Sequence, residues 1–319
     1  MRGRLGNHRC WGDYRVSVLV QWLPGQRLHL QQGPIDLVIQ AEGEPDVVRQ
    51  AHAIAQRRFG EVLPSLVQEI KLLRTPVQTE RNPMQGEVAR LMWQACAPFA
   101  YGTFLTPMAA VAGAVAQHML EPYQCSGIDR AWVNNGGDIA LRLTGSQVLR
   151  LGLFSEIDRV MSNLSLGQQV ELDGMATLDA RSGVGGVATS GWRGRSHSLG
   201  IADSVTVFAA NAMTADVAAT LVANAVNIHD ESIVRRRASD LSDDSDLGDY
   251  LVTVDVPKLA REKVSVALNR GLEKAQAYRD AGLLQSAVLI CQGQVVSVNG
   301  HQTLSKPTFV QEQALCLQS

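Results

Sequence analysis

The sequence predicts an α+β protein of mixed α/β character, in which helices pack on sheets. Short stretches that alternate or run apolar between turn residues are typical of strands, as in "RLHLQQGPIDLVIQAEG" at residues 27–43. Other stretches have apolar residues at helical spacing. Two stretches, residues 104–120 and 214–227, are rich in alanine. We expect both to form buried helices that approach the sheets closely.

Composition limits the functional classes. The chain has 319 residues, 45% hydrophobic and 19% charged, with a net charge of -2. This near-neutral balance does not favour nucleic-acid binding. The five cysteines form no C-x-x-C pair, which argues against a disulfide framework or a cysteine zinc site and predicts a reducing, cytoplasmic location. No stretch has the length and apolarity of a membrane span, since residues 104–120 contain proline, glutamine and histidine.

The first third of the chain predicts a hairpin and then helices. Residues 27–43 read as two strands around the "QQGP" turn. Residues 44–73 have helical spacing, and we expect two helices that separate near Gly60 and Pro64. A further helix is predicted within residues 82–100. In the first alanine-rich helix, Thr106 is the predicted N-cap, ahead of a proline at the first helical position.

The rest of the chain alternates between strands, loops and helices. "DRAWVNNGGDIALRL" at residues 129–143 predicts strand, tight turn and strand. Glycine-rich loops between strands are expected over residues 183–210, and Thr214 is the predicted cap of the second alanine-rich helix. Residues 230–249 carry three arginines and then a dense acidic patch, which predicts an exposed charged loop. No break in composition divides the chain, so we expect a single domain over residues 1–319.

The "NNGGD" motif is the first candidate site. Gly136 and Gly137 permit positive φ and close approach of a ligand to the backbone, and Asn134 and Asp138 offer polar groups beside them. The alternative is an ordinary hairpin turn, for which Asn, Gly and Asp are the usual residues. The spacing alone favours the turn.

The "TADVAAT" motif is the second candidate site. Asp216 and Thr220 are four residues apart, so on a helix they lie one turn apart on the same face. A carboxylate and a hydroxyl at this spacing offer two oxygen ligands to Mg²⁺, with water and phosphate oxygens completing the shell. In the alternative, Asp216 interacts with the helix dipole and Thr220 packs against the preceding turn.

The "GVATSGWRGRSH" segment is the third candidate site. Thr189, Ser190 and Gly191 offer hydroxyl and amide groups to a phosphate, and His197 offers an acid or a base. The alternative is a polar loop with a solvated histidine. The glycines match neither the P-loop nor the dinucleotide-binding fingerprint.

The order of these motifs resembles the ApbE superfamily, whose best-known members are FAD:protein FMN transferases. The matching positions are Val133 to Asp138, Thr189 to Gly191, Ser204 to Val207 and Ala215 to Thr220, within a motif-bearing core of about residues 85–230. The chain is most similar to the short cytoplasmic branch of that superfamily. It has "HSLGIAD" where the transferases have H-I-I-D-P-x-T-G.

The resemblance implies an ApbE-like fold, with mixed or antiparallel sheets, alanine-rich helices and a central cleft. It also implies a site for a flavin, FAD, with Mg²⁺ held by Asp216 and Thr220 and with His197 assisting proton movement. The implied reaction is FMN transfer from FAD to a protein acceptor, or hydrolysis of the FAD pyrophosphate. Two alternatives remain open. One is a non-catalytic binder of a flavin- or pterin-like ligand, such as an accessory protein in pterin-dependent one-carbon metabolism; the other is a homo-oligomer that binds no ligand.

Overall fold

The computed structural model confirms the mixed α+β class. It describes residues 17–78, 81–153, 170–171, 173–194, 196–298, 303–305 and 309–310. In chain order the strands are β1 (Leu19–Leu23), β2 (Arg27–Gln32), β3 (Ile35–Gly43), β4 (Ile128–Asn135), β5 (Asp138–Leu143), β6 (Val148–Leu153), β7 (Val170–Glu171), β8 (Gly174–Asp179), β9 (Gly186–Ser190), β10 (Ser204–Ala209), β11 (Val234–Arg237), β12 (Leu251–Asp255), β13 (Ser286–Cys291), β14 (Gln294–Val298), β15 (Thr303–Ser305) and β16 (Phe309–Val310).

Most of the strands form one antiparallel sheet of nine, in the order β1-β2-β3-β4-β5-β9-β10-β13-β14. A smaller sheet has the order β15-β8-β6, and β7 pairs with β16 and β11 with β12. The large sheet thus joins strands from both ends of the described chain. The treatment of residues 1–319 as a single domain, with a motif-bearing core at about 85–230, stays a prediction.

The helices are α1 (Pro45–Gln68), α2 (Ile70–Leu73), α3 (Glu87–Cys96), α4 (Val111–Leu120), α5 (Ala212–Ala225), α6 (Ala238–Leu241) and α7 (Arg261–Asp280). Short 3₁₀ turns cover Ala97–Phe99, Pro107–Ala110 and Glu121–Tyr123. Among the described residues, no helix has the length and apolar character needed to cross a membrane.

The large sheet has one core on each face, because successive side chains of a strand point to opposite sides. On β4 and β5, Val133 and Ala140 belong to the core under the helices. Their neighbours Trp132 and Ile139 belong to the core under the smaller sheet. Leucines of β6 and β8 complete that second core: Leu149, Leu151, Leu153 and Leu178. The protein therefore has three layers, with helices, the large sheet and the small sheet in succession.

The prediction of two strands at residues 27–43 is confirmed. For residues 44–73, the predicted boundary between two helices near Gly60 and Pro64 is wrong. Helix α1 continues through Gly60 and Pro64 and ends only at Gln68. A buried stripe at helical spacing runs through both residues: Ala51, Ala55, Phe59, Val62 and Leu66. Packing of this stripe on the core outweighs the backbone hydrogen bond that the proline removes.

Thr106 occupies the predicted N-cap position, ahead of Pro107 in the 3₁₀ turn that leads into α4, but the predicted Thr214 cap is wrong. The Thr106 hydroxyl does not cap a helix and instead donates a hydrogen bond to the Asp246 carboxylate, 140 residues further along the chain. Helix α5 begins two residues before Thr214, and its N-cap is Asn211. The Asn211 Oδ1 atom accepts from the backbone N–H of Thr214 over 2.8 Å. An asparagine is at least as good a cap as a threonine, so the earlier start has a local cause.

The charged segment 230–249 is more ordered than the predicted exposed loop. It contains β11, which pairs with β12, and the short helix α6, whose first residue Ala238 is buried. Most other side chains of the segment are exposed or half-buried. Its acidic part returns to the body of the protein through the hydrogen bond between Asp246 and Thr106.

Candidate functional site

The "NNGGD" motif forms the turn between β4 and β5. Asn135 pairs with Asp138 across the two glycines. Gly136 and Gly137 have φ values of 61° and 110°, the positive values that a two-residue hairpin of type I′ requires. The Asn134 Oδ1 atom accepts from the backbone N–H of Gly137 over 2.9 Å. The local structure is therefore the hairpin turn that the spacing favoured.

The same turn also directs two polar side chains towards the helices. By strand alternation, Asn135 and Asp138 share a face with the residues of the core under the helices. Both are buried. The Asn135 Nδ2 atom donates to the Ala112 carbonyl of α4 over 3.0 Å. The Asp138 Oδ1 atom accepts from the Thr189 backbone N–H over 3.3 Å. The turn thus lies against the first turn of α4 and the end of β9.

The helices α4 and α5 cross next to this turn and satisfy each other's backbone groups. A Cβ atom on Gly113 would lie 2.4 Å from the Ala212 carbonyl oxygen, so only glycine permits this crossing. The Gln117 Oε1 atom accepts from the Ala212 N–H over 3.1 Å, near the beginning of α5. In return, the Asp216 Oδ2 atom accepts from the Gly113 N–H over 2.9 Å, near the beginning of α4.

This position changes the acidity of Asp216. Burial raises the pKa of its carboxyl group to about 7, against the opposing effect of backbone N–H donors at Gly113 and Ala112. A carboxylate held there costs free energy unless a cation or a further donor compensates its charge. Residue Asp216 as a whole is half-buried.

Asp216 begins a polar stripe along α5. After the first turn of the helix, every residue of α5 is buried except Asp216, Thr220, Asn224 and Ala225. The three polar members are four residues apart and therefore lie one above the other on consecutive turns. The stripe from Asp216 to Asn224 spans about 12 Å along the axis. We call these three residues the polar stripe.

The "ATSG" segment divides between the two faces of the sheet. Ser190 is two residues from Ala188 on β9, so both side chains point to the same face of the sheet, the face that packs on the helices. The Thr189 side chain faces the other way, and its hydroxyl shares a hydrogen bond of 2.9 Å with the Thr206 hydroxyl. A Cβ atom on Gly191 would lie 2.3 Å from the Asp203 carbonyl oxygen. This glycine is therefore required for the close contact between two backbone segments.

His197 lies next to the far end of the polar stripe. The Asn224 Oδ1 atom accepts from the Leu199 N–H over 2.8 Å and from the Ser198 hydroxyl over 3.2 Å. Asn224 thus holds the segment that carries His197, about 12 Å along α5 from Asp216. Among the described residues, the half-buried His197 side chain forms no hydrogen bond or ion pair.

Three residues of this region were not predicted from the sequence. Asn224 continues the spacing of Asp216 and Thr220 by one more turn, so an extension of the same pattern would have identified it. Asn135 is a neighbour of the predicted Asn134, and the alternation of β4 separates their roles. Asp246 lies far along the chain in the acidic patch, and no local pattern links it to Thr106.

Burial, followed by the nearby charges of Asp216 and Asp246, raises the pKa of the Cys96 thiol well above its usual value. Both carboxylates therefore lie near one thiol, and Cys96 itself contacts the Thr106 carbonyl through its Sγ atom at 3.5 Å. The hydrogen bond from Thr106 places Asp246 next to the turn that leads into α4. A raised pKa makes Cys96 an unreactive core residue.

The side-chain oxygens of Asp216 and Thr220 suit a cation that is also coordinated by a bound small molecule. Within the described part of the chain, no group of three or more His, Cys, Asp or Glu side chains is placed to hold a metal ion. Asp216 and Thr220 supply one carboxylate and one hydroxyl on adjacent turns. Mg²⁺ is commonly held by one or two carboxylates together with water and phosphate oxygens. The residues present therefore fit Mg²⁺ bound jointly with a phosphate group.

Comparison with known proteins gives several related sequences that are described as UPF0280 proteins. A UPF0280 protein of Methanopyrus kandleri is 34% identical over 210 residues, which cover 66% of this chain and 78% of that protein. A UPF0280 protein of Methanothermobacter thermautotrophicus is 33% identical over 170 residues, and one of Methanococcus maripaludis is 36% identical over 150 residues. These matches cover 53% and 47% of this chain, but only 59% and 55% of those two relatives.

Among solved structures, the apo form of the Pseudomonas stutzeri flavinyl transferase ApbE matches with a TM-score of 0.43 and 12% identity, over 90% of this chain and 95% of that one. A family model described as "AbpE bacteria" matches residues 20–297. This match covers most of the chain, and it confirms the family resemblance seen in the motifs. The chain therefore belongs to this ApbE-like family, and its relatives include UPF0280 proteins.

Proposed function

We propose that this protein binds a flavin dinucleotide, FAD, together with Mg²⁺ along the polar stripe of α5. The observation that carries the proposal is the stripe itself: Asp216, Thr220 and Asn224 are half-buried on a helix whose other residues beyond the first turn, apart from Ala225, are buried. Two members of the stripe also have partners within the protein: Asp216 accepts from the Gly113 N–H, and Asn224 accepts from Leu199 and Ser198. Asp216 and Thr220 would supply the carboxylate and hydroxyl oxygens for a cation that is held jointly with a phosphate group.

The surroundings of the stripe support this proposal. Asn135 and Asp138 lie on the same layer as α5, at the first turn of α4, and Ser190 faces that layer from β9. His197 is at the other end of the stripe. The distance of about 12 Å between the ends suits an extended dinucleotide better than a single small anion.

We further propose that the protein breaks the pyrophosphate of FAD. Mg²⁺, when bound, would neutralise the charge on the phosphate oxygens. Asp216 and Thr220 would hold it, and the segment fixed by Asn224 would present His197. An imidazole nitrogen of His197 would take the proton of the attacking hydroxyl. As the new P–O bond forms between that hydroxyl and the FMN phosphorus, the bond from that phosphorus to the bridging oxygen breaks, and AMP leaves with that oxygen. A protein threonine as acceptor gives FMN transfer, and water gives hydrolysis.

A second function has its own support. "HSLGIAD" lacks the Asp-Pro and Thr-Gly residues of the transferase motif. Among the described residues, nothing orients the His197 ring. A protein that binds a flavin- or pterin-like ligand without turnover would keep the polar stripe and lose this motif. A cytoplasmic location and a homo-oligomeric state also remain proposals; size-exclusion chromatography with light scattering tests the latter.

The test is isothermal titration of the protein with FAD, with and without Mg²⁺. We expect micromolar binding that requires Mg²⁺ and is lost in Asp216→Ala. Asp240→Ala is the matched control, because Asp240 is exposed on α6. Release of AMP from bound FAD, with and without an acceptor protein, then separates catalysis from binding alone. Absence of FAD binding under all conditions would exclude the proposed function.

A further inference from the structure

Strand β1 forms one open edge of the large sheet. It pairs with β2 on one side, and no other strand among the described residues pairs with it. In an antiparallel sheet, every second residue of an edge strand points its backbone N–H and C=O groups away from the neighbouring strand. The outer side of β1 therefore presents backbone donors and acceptors with which a further strand can pair.

The side chains of β1 are apolar and exposed on both faces of the sheet. Trp22 is 54% exposed, Leu19 47% and Val20 44%. Val20 and Trp22 lie opposite two buried leucines of β2, which belong to the core under the helices. The Trp22 ring also makes an edge contact with the His52 ring of α1, at 5.2 Å between centroids. This core therefore continues to the last strand of the sheet and is incompletely covered there.

Strand β1 also lacks the features that usually protect an edge. Natural edge strands commonly carry a charged side chain, a proline or a bulge, which prevent pairing with another chain. The sequence of β1, "LVQWL", has no charged residue and no proline, and its register with β2 is regular. Strand β14, at the other edge of the sheet, has a single large exposed apolar residue, Val295. The two edges therefore differ, and β1 is the one suited to a partner strand.

The sequence of β1 is symmetric in character about Gln21. If a second copy pairs antiparallel with Gln21 opposite Gln21, then Leu19 lies opposite Leu23, and Val20 lies opposite Trp22. Pairs of a β-branched residue with an aromatic ring stabilise neighbouring strands, and no like charges oppose each other in this register. A strand that complements itself suits a twofold axis, because such an axis brings the same surface of two copies together.

We propose that β1 pairs with β1 of a second copy of this chain, antiparallel and centred on Gln21, so that the two large sheets form one continuous sheet. Pro24 lacks a backbone N–H and lies in the turn that leads to β2, so the paired stretch ends with the strand. One short strand gives a small interface, so we expect association at micromolar concentrations. Four strands separate β1 from β9, on which α5 packs, so the interface is independent of the proposed ligand site.

The test places charges at the centre of this interface in the full chain. Gln21→Lys sets two ammonium groups opposite each other, and Gln21→Glu sets two carboxylates opposite each other. By sedimentation equilibrium, the mass of the unchanged protein should approach twice the 34.5 kDa of one chain as the concentration rises. We expect the dissociation constant to rise at least about tenfold in each variant. An equimolar mixture of the two variants should restore dimers, because a lysine then lies opposite a glutamate.

Two controls separate pairing from a general effect of charge. Val295→Lys adds the same charge to an exposed position of the opposite edge strand and should leave the dissociation constant unchanged. Residue 21 is exposed, so both Gln21 variants should have the thermal unfolding midpoint of the unchanged protein at concentrations where all of them are monomers. FAD titration of Gln21→Lys should also match that of the unchanged protein, so failure of this proposal is distinct from failure of the proposed function.

The outcomes distinguish a second copy from other occupants of the edge. In the dimer, the outward amides of β1 should exchange with deuterium at least about tenfold more slowly than in Gln21→Lys. A monomer at every concentration overturns the proposal, and slow exchange of β1 in that monomer would show that another segment of the chain covers the edge. A dimer that both Gln21 variants leave intact, or that Val295→Lys weakens equally, also overturns it. A dimer that both variants weaken but their mixture does not restore overturns the antiparallel pairing centred on Gln21.

Discussion

The two alanine-rich helices differ in how completely they are enclosed. Seven of the ten residues of α4 are buried, including a glycine and a histidine, and the helix packs against α1, α3, α5 and the strands β4 and β5. Helix α5 packs against the sheet, α4 and α7, but it keeps the polar stripe on one side. Similar alanine-rich sequences thus give one helix that is more completely enclosed and one helix with a half-buried polar side.

The polar residues of the two helices show what the difference means. In α4, Gln117 serves the packing, because it accepts from the first backbone N–H of α5. In α5, Asp216 accepts from the Gly113 N–H of α4, and Asn224 accepts from Ser198 and Leu199 at the other end of the stripe. Thr220 and Asn224 continue the line away from α4. The polar residues at every fourth position of α5 therefore follow its half-buried side, which the proposed function assigns to a ligand, whereas the isolated Gln117 of α4 makes a contact between helices.

The largest effect is expected from adding one methyl group at the crossing. Gly113→Ala places a Cβ atom 2.4 Å from the Ala212 carbonyl oxygen, so one of the helices must shift. We expect a loss of about 2 kcal/mol or more in the free energy of unfolding, measured by urea denaturation.

The matched control is the same substitution in α1. A Cβ atom on Gly60 would meet only the Val18 side chain, at 3.9 Å. Alanine is the better helix former, so Gly60→Ala should stabilise the protein by about 0.5–1 kcal/mol. Equal effects of the two substitutions would contradict the close crossing of α4 and α5.

A smaller effect is expected from the charge of Asp216. The folded pKa of about 7 is above the ordinary value of 3.8, so between these two values the folded protein keeps a proton that the unfolded chain releases. Stability should therefore fall as the pH rises from 4 to 7 and stay at the lower level above 7. Asp216→Asn removes this ionisation, and its amide oxygen can still accept from Gly113.

We expect Asp216→Asn to match the wild type at pH 4 and to exceed its unfolding free energy by about 1–2 kcal/mol at pH 8, without added cation. This range allows for the partial exposure of the side chain. Thermal unfolding across the pH range measures it. If the variant is less stable than the wild type at pH 8, the Asp216 carboxylate stabilises the folded protein. The expected cost of burying its charge without a ligand is then contradicted.

Much of the fold follows from local patterns in the sequence. The hairpin at residues 27–43 and the strand, turn and strand around Gly136 and Gly137 were predicted because their signals lie within a few residues. The placement of Asp216 and Thr220 one turn apart on a single helix was predicted for the same reason. These predictions depend only on periodicity and turn chemistry.

The remaining features depend on contacts between distant residues. Pro64 indicated a helix boundary, but the buried stripe of α1 keeps the helix intact through tertiary packing. Thr106 had every local property of an N-cap, yet its hydroxyl is bonded to Asp246. The division of Thr189 and Ser190 between opposite faces requires the register of β9 with β10. No local pattern contains this information.

The smallest effect is expected at Thr220, the second residue of the stripe. Its substitution distinguishes a role in ligand binding from a role in packing. Thr220→Val keeps nearly the same shape and removes one hydroxyl oxygen. If the hydroxyl contributes to cation and phosphate binding, FAD affinity in Mg²⁺ should fall about fivefold, or about 1 kcal/mol, with little change in stability. Thr214→Val is the control, since Thr214 lies in the first turn of α5, outside the stripe. If instead the hydroxyl only supports the helix, Thr220→Val lowers the unfolding free energy and leaves FAD affinity unchanged. In that case Asp216 and Asn224 would make separate contacts at the two ends of the stripe. The three residues would not form one continuous ligand site, because Thr220 between them would contribute nothing to binding.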